Sequence, residues 1–366
     1  MSFLKKTGVY IIGEAGDNHN GDINLAYKLL DLAKSSGVDA FKSQTFVSEL
    51  VTDLSALQAD YQASNTGIVE SQFYMIKKLE LPQHRFPELK KRADKIGIDF
   101  ICTPFDNVSV DTLGPITKAI KVSSGDLVNF PLLVKIASKN LPVILSSGMA
   151  EMDEVEFGVK TLKDHGVKHI GLLHCVSNYP ADLTDCNLRV ITTLKQKFPD
   201  LVIGWSDHTL GNAAAMLAVA LGAEIIEKHY TLDKNLPGPD HLASADPNEI
   251  VEYVNAVRKV EQELANGVNR EELVKKIAKE MNAENALGDG NKRIMESEKS
   301  TAAVAKRSLF AARSIKMDEV FAISDLLPLR PADGISPRFA ERIIGQKAVT
   351  DIVKGTKLEW EMIAQN

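Results

Sequence analysis

The chain has 366 residues, 44% of them hydrophobic and 25% charged, with a formal net charge of -6. These are the figures of a globular protein long enough for a large core and more than one domain, and the acidic balance argues against a nucleic-acid partner, which would call for a basic stripe. No run is long and apolar enough to span a bilayer, the N-terminal MSFLKKTGVYIIGE is too short in apolar residues for a signal peptide, and Cys102, Cys175 and Cys186 are an odd three without metal-type spacing, so a reducing cytoplasm is the expected compartment.

Along the chain, short strand-like runs alternate with segments of helical periodicity. The runs are VYIIGE (9–14), DAFKSQ (39–44), DFICTP (99–104), AIKVSS (119–124), PVILSS (142–147), HIGLLH (169–174), LVIGWS (201–206) and EIIEKH (224–229). Between them, stretches such as 24–37, 87–97, 153–166, 188–198 and 212–222 carry apolar residues at helical spacing, and several close on glycine. Strands alternating with helices imply a parallel sheet, and eight units over about 230 residues match a closed (β/α)8 TIM barrel. The alternative is an open doubly wound sheet, but no G-x-G-x-x-G follows the first run. The expected organisation is therefore α/β: a barrel over 1–265, a linker with a helical insertion over 266–305, and a small β-rich domain over 306–366.

A parallel barrel gathers its strand ends at one rim, and several runs here end in ligand-type side chains. His208 and His229 lie at the ends of the last two strands, where two imidazoles can share a divalent cation with Glu227 or Asp240 nearby. Two nitrogens completed by oxygen suit Mn²⁺, Fe²⁺, Co²⁺ or Zn²⁺. The plainer reading is that each histidine hydrogen-bonds within the rim. Lys42, Lys121, Thr103, Ser124, Ser146 and Ser147 supply cations and hydroxyl donors matched to a phosphate and a carboxylate, unless the lysines simply pair with barrel carboxylates. Glu14 ends the first strand, before a turn-like NHNG in which His19 reads as structural. Gln44, Tyr179 and Asp240 suit the hydroxyls of a sugar, and Arg330 before PADGISP can reach an anion.

Taken together and in order, GEAGDNHNGD, FKSQTF, TPFD, IKVSSGD, LSSGMA, LLHCVSNYP, GWSDHTLG and EKHYTLDKNLPGPDH resemble the motif series of the sialic acid synthase family. The tail from Lys306, with LRPADGISP, is similar to the SAF (antifreeze-like) domain that closes those enzymes. The resemblance implies condensation of phosphoenolpyruvate with an N-acyl mannosamine-type sugar, a divalent metal (Mn²⁺ usually, with Mg²⁺ or Co²⁺ as substitutes), and a domain-swapped homodimer. Carried over position by position, His208 and His229 match the metal ligands. Lys42, Thr103, Lys121, Ser124, Ser146 and Ser206 match the phosphoenolpyruvate pocket, with Ser177 where relatives often carry Asn. Glu14, Gln44, Tyr179, Glu227 and Asp240 match the sugar side, with Glu14, Glu227 and Lys121 in catalytic roles. Arg330 matches an arginine delivered by the partner's SAF domain.

Three departures stand out: Asp17 in the first motif, KSQ for the commoner KFQ or KHQ, and the extra segment 269–285, expected to alter linker or dimer surface rather than chemistry. The expected acceptor is N-acetylmannosamine, giving N-acetylneuraminate; the alternative is a 2,4-diacetamido-2,4,6-trideoxy sugar, giving legionaminate. The segment 59–72, expected as part of a long loop after the second strand, resembles both subtypes. Two other classes compete. A metal-dependent aldolase or keto-acid phosphate synthase on the same fold would lack the SAF tail. A non-catalytic carbohydrate- or ice-binding barrel would not need both histidines and both lysines.

Overall fold

The computed structural model describes residues 8–364. Residues 1–7 and 365–366, which the sequence assigns to the barrel and tail domains, lie outside the described residues.

All eight expected strands form: β1 (Tyr10–Gly16), β2 (Ala40–Thr45), β3 (Asp99–Pro104), β4 (Ile120–Val122), β5 (Val143–Ser146), β6 (Ile170–Cys175), β7 (Val202–Asp207) and β8 (Ile225–His229). They pair in sequence order, all parallel, and close between β8 and β1. The alternation of a strand explains how one sequence builds both a core and a site. Tyr10, Ile12, Ala40, Ile101, Ala119, Ile144, Leu173, Val202 and Ile225 form one buried cluster. Two residues on from Ile12, Ala40, Ile101, Ala119, Ile144 and Ile225 stand Glu14, Lys42, Thr103, Lys121, Ser146 and Glu227. The same faces therefore carry apolar side chains below and ionic or hydroxyl side chains at the rim. The neighbouring set, with Ile11, Phe41, Phe100, Ile203 and Trp205, belongs to the larger core beneath the surrounding helices.

The helices follow the expected pattern, with local signals setting their ends. Asp22 caps Ile23–Ser36 by accepting from the Asn24 N–H, and Gly37 ends it at φ 85°, a left-handed position where a side chain is costly. Segment 59–72 differs from expectation: much of it is helical, within Asp60–Thr66 and at the start of Gln72–Leu79. These helices lean on the barrel mouth, where Asn65 Nδ2 donates to the Pro239 carbonyl at 2.7 Å. The insertion forms a helix, Arg270–Glu280, with Leu273, Ile277 and Ala278 buried, and Arg270 donates to the carbonyls of Val219 and Ala220. It is remote from the barrel mouth.

The tail builds its own small core around Leu309, Ile315, Phe321, Ile335, Ile343 and Leu358, into which Phe130 of the barrel domain packs. Its strands β9 (Ser308–Ala311) and β10 (Leu326–Leu329) pair antiparallel. It seats on the barrel of its own chain. Arg307, buried, donates to the Phe105 carbonyl at 2.9 Å and to Asp126 Oδ2 at 3.1 Å, and Arg338 donates to Asp153 at 2.7 Å. Among the described residues, no helix is long and apolar enough to cross a membrane.

Candidate active site

One cleft at the C-terminal rim is lined by every residue singled out above as a metal, phosphoenolpyruvate or sugar ligand except Ser147, whose buried hydroxyl donates instead to the Leu173 carbonyl at 2.9 Å. The register explains the assembly. Glu14 lies beside Lys42 on β2 and beside His229 on β8, Gln44 beside Thr103, and Ser206 beside Glu227.

The anion side centres on two buried lysines in different electrostatic states. Lys42 Nζ sits 2.8 Å from Glu14 Oε1 and 3.5 Å from Glu227 Oε1, and donates to Thr103 Oγ1 at 3.1 Å. Burial works against its charge, but Glu14 and Glu227 outweigh it and hold the ammonium above its usual range. Lys121 donates to Ser146 Oγ at 2.7 Å, and its carboxylate neighbour Glu227 is 3.6 Å away. There burial wins over Glu227, and the Lys121 ammonium is pushed below its usual range. An arriving phosphate or carboxylate would supply the counter-charge that Lys121 lacks. Glu227 also accepts from Ser206 Oγ at 3.2 Å. Burial would raise its carboxyl, but Lys121, Lys42 and His208 hold it below the usual range. It is therefore an ionised group at neutral pH, suited to accept a proton.

The wall that the resemblance assigns to the sugar is rich in carboxylates. Gln44 Nε2 donates to Glu14 Oε1 at 3.1 Å. Burial, then Asp240 and Glu14, push Asp17 well above the ordinary carboxylate range, and burial followed by Glu14 lifts Asp240 to about 6 despite His208. Tyr179 lies over His208, ring centroids 4.1 Å apart, and Tyr61 from the helix Asp60–Thr66 stacks on Tyr179 at 4.9 Å.

The donors present fit a divalent cation. The His208 and His229 rings lie 5.4 Å apart. His208 Nδ1 bonds the Val176 carbonyl at 2.6 Å; burial disfavours its charge, but Cys175 and that carbonyl outweigh it and hold the imidazolium above its usual range, so a metal ion on Nε2 would displace a proton. His229 Nδ1 is buried without a hydrogen-bond partner, 3.8 Å from Asp240 Oδ2. Burial and then His208 push the His229 imidazolium well below its usual range, so the ring is neutral, as a ligand must be. Among the described residues no three His, Cys, Asp or Glu side chains form a closed cage. An ion held by these two nitrogens would complete its shell with water or substrate oxygens.

Arg330 lines the cleft, and in the single chain described it is the chain's own tail that carries it there. The reason is a backbone tie: the Arg330 N–H donates to the Val51 carbonyl, and its own carbonyl accepts from Asp53 N–H, both at 3.0 Å. The guanidinium lies against Phe105, its Nε buried without a partner. Burial and then Arg307 lower it to about 10, still charged at neutral pH. His19 is structural, as expected, accepting from Gly21 N–H through Nδ1. Sequence reasoning did not single out Tyr61, Gln62, Thr301 or Ala305, which line the cleft from outside the barrel strands, and it treated Cys175 as an ordinary buried thiol. The strand alternation could have found Cys175, two residues past the inward-facing Leu173.

A (β/α)8 barrel whose rim gathers buried lysines, hydroxyls, carboxylates and two imidazoles in one cleft under a small β domain has the architecture of a barrel enzyme. The chain belongs to the NeuB family, whose pattern matches residues 29–269, and a SAF domain matches residues 306–364. It is 39% identical over 359 residues to an N,N'-diacetyllegionaminic acid synthase of Legionella pneumophila, covering 97% of this chain and 94% of the relative. It is 41% identical over 348 residues to a protein of the same name from Campylobacter jejuni, covering 94% and 96%. The crystal structure of the spore coat polysaccharide biosynthesis protein SpsE of Bacillus subtilis superposes with a TM-score of 0.79 at 34% identity, covering 98% of this chain and 96% of that one.

Proposed function

We propose that the protein is a nonulosonic acid synthase joining phosphoenolpyruvate to an N-acyl mannosamine-type sugar with release of phosphate. The observation that carries this reading is the pairing of Lys42 and Lys121, with Thr103, Ser124, Ser146 and Ser206, beside the two imidazoles in one cleft. A phosphate and a carboxylate three bonds apart need two cationic anchors and several hydroxyl donors, which these residues provide. A divalent ion held by His208 and His229, Mn²⁺ first and Mg²⁺ or Co²⁺ as substitutes, supplies Lewis-acid polarisation of the sugar aldehyde.

C3 of phosphoenolpyruvate attacks the aldehyde carbon, water adds at C2, and phosphate leaves by C–O cleavage. Lys42 and Lys121 hold the anionic groups while charge moves, which is electrostatic preorganisation. Glu227 Oε2, buried without a hydrogen-bond partner, is the base for the water that adds. Glu14, held between Lys42 and Gln44, stands at the sugar end.

Between the two acceptors, the wall formed by Phe46, Val51, Ile76 and Phe105 near Arg330 favours the diacetamido sugar, whose C6 methyl and second acetyl group give it more apolar surface than N-acetylmannosamine. The names of the Legionella and Campylobacter relatives support the same acceptor. Phosphate release is measured with phosphoenolpyruvate and each sugar in turn. The diacetamido sugar should give the higher kcat/KM; no release with either sugar sinks the synthase reading.

The expected homodimer, with residues 306–366 exchanged between subunits, is part of this proposal. Its support is that a second copy can supply every contact that seats the tail on the barrel, because an exchanged domain makes the same interface. Co-expressing His208→Ala with Arg330→Ala chains distinguishes the arrangements. Exchange restores about a quarter of wild-type activity, since half the dimers are mixed and each has one intact site. Activity no higher than that of the parent variants leaves the tail serving its own chain.

A further inference from the structure

Three turns carry the hydroxyls of the anion side, and one side chain from outside the barrel joins two of them. Glu298 lies in the arm between the two domains and is fully buried. Its Oε1 accepts from the Met149 N–H at 2.7 Å and from the Ser177 N–H at 2.8 Å, and its Oε2 accepts from the Met295 N–H at 2.9 Å. Met149 follows β5 and Ser177 follows β6, and both line the cleft.

The geometry of these turns needs an anchor. Met149 holds φ 53°, a left-handed conformation that a side chain adopts only when its surroundings impose it. Its neighbour Gly148 donates to Ser124 Oγ at 3.0 Å, tying in the turn after β4. A Cβ on Gly148 would come within 2.2 Å of Ser177 Oγ and 2.9 Å of Ser124 Oγ, so the three turns touch with no slack. A carboxylate accepting from both backbones is a strong, charge-assisted link that fixes their separation. Among the described residues, no other group is bonded to the Met149 or Ser177 N–H.

We infer that Glu298 is a positioning residue for the phosphoenolpyruvate pocket, setting the spacing of the β5 and β6 turns from the interdomain arm and so aligning Ser146 and Ser177. The assignment rests on the proposed function. It gives the arm a part in substrate binding beyond tethering the SAF domain: the chain segment that carries Thr301 and Ala305 into the cleft wall also locks the anion side.

Glu298→Ala, Glu298→Asp and Glu298→Gln are made in the full chain and compared by calorimetric titration with phosphoenolpyruvate, by KM for each substrate, and by thermal unfolding. The alanine variant leaves two N–H groups without their acceptor, and aspartate is one methylene too short to reach both. Each should weaken phosphoenolpyruvate binding about 10- to 100-fold, the equivalent of one or two hydrogen bonds, with the acceptor-sugar KM within about two-fold of wild type. Glutamine keeps an oxygen in reach of both N–H groups and should restore binding to within about five-fold. Should alanine abolish folding, aspartate against glutamine carries the same comparison. Unchanged phosphoenolpyruvate binding in the aspartate variant overturns the assignment, and so does an equal rise in both KM values. Wild-type protein that binds no phosphoenolpyruvate overturns the functional reading, and this assignment with it.

Discussion

Chelation with EDTA is expected to abolish phosphate release, and added Mn²⁺ to restore it. Lewis-acid polarisation of a carbonyl contributes several kcal/mol to the barrier, so its loss lowers kcat by at least about 10³-fold at 1.36 kcal/mol per decade. His208→Ala and His229→Ala should give the same loss together with loss of bound metal by elemental analysis. The two rings are specific in this role, because among the described residues each leaves one nitrogen without a protein partner. His208 Nδ1 is committed to the Val176 carbonyl, and His229 Nδ1 is buried and unbonded. Undiminished turnover in EDTA, with metal shown to be absent, removes the ion from the chemistry and returns the histidines to a structural role.

Glu227→Gln is the second large effect. The amide keeps the shape and can still accept from Ser206, but it cannot take a proton from water. Loss of a general base lowers kcat by about 10²- to 10⁴-fold, while metal content persists because both histidines remain. A second consequence follows from the charges around it. Glu227 lies 3.5 Å from Lys42 and 3.6 Å from Lys121, and it supports the charge of both. Without it, the Lys121 ammonium, already disfavoured by burial, weakens further, and KM for phosphoenolpyruvate should rise. Lys42 keeps Glu14 at 2.8 Å and stays charged. Turnover near that of wild type takes Glu227 out of the proton path and leaves Glu14 as the remaining candidate.

These two effects separate the parts of the cleft. In the proposed reaction the imidazoles would hold the ion that polarises the sugar carbonyl, Glu227 would serve the water and the charge of Lys121, and Arg330 would complete the outer wall. Arg330 also shows why the small domain belongs to the site: a buried guanidinium whose Nε lacks a partner is stable only if something polar arrives to use it.

Much of this was legible in the chain. Strand runs ending in Glu14, Lys42, Thr103, Lys121, Ser146, Ser206, Glu227 and His229 specify the barrel and its rim at once, because the two-residue period of a strand puts polar rim groups on the same face as the apolar core below. The residues that were not legible share a physical trait. Tyr61, Thr301, Ala305 and Glu298 come from segments outside the strands, where no period relates sequence position to direction, and their place depends on how those segments pack.

The sequence by itself determined the barrel, the order of its strands, the small second domain and the inward set of ionic and hydroxyl groups, since local periodicity and motif order encode them. Only the tertiary structure decided which charges prevail and what closes the cleft. It set Lys42 against Glu14 while leaving Lys121 with only the more distant Glu227, folded the segment after β2 over the cleft, and brought Arg330 to its wall. It also drove Glu298 between two turns more than a hundred residues upstream. Distances between groups remote in sequence set these outcomes, and desolvation and Coulomb energies depend on those distances rather than on residue type.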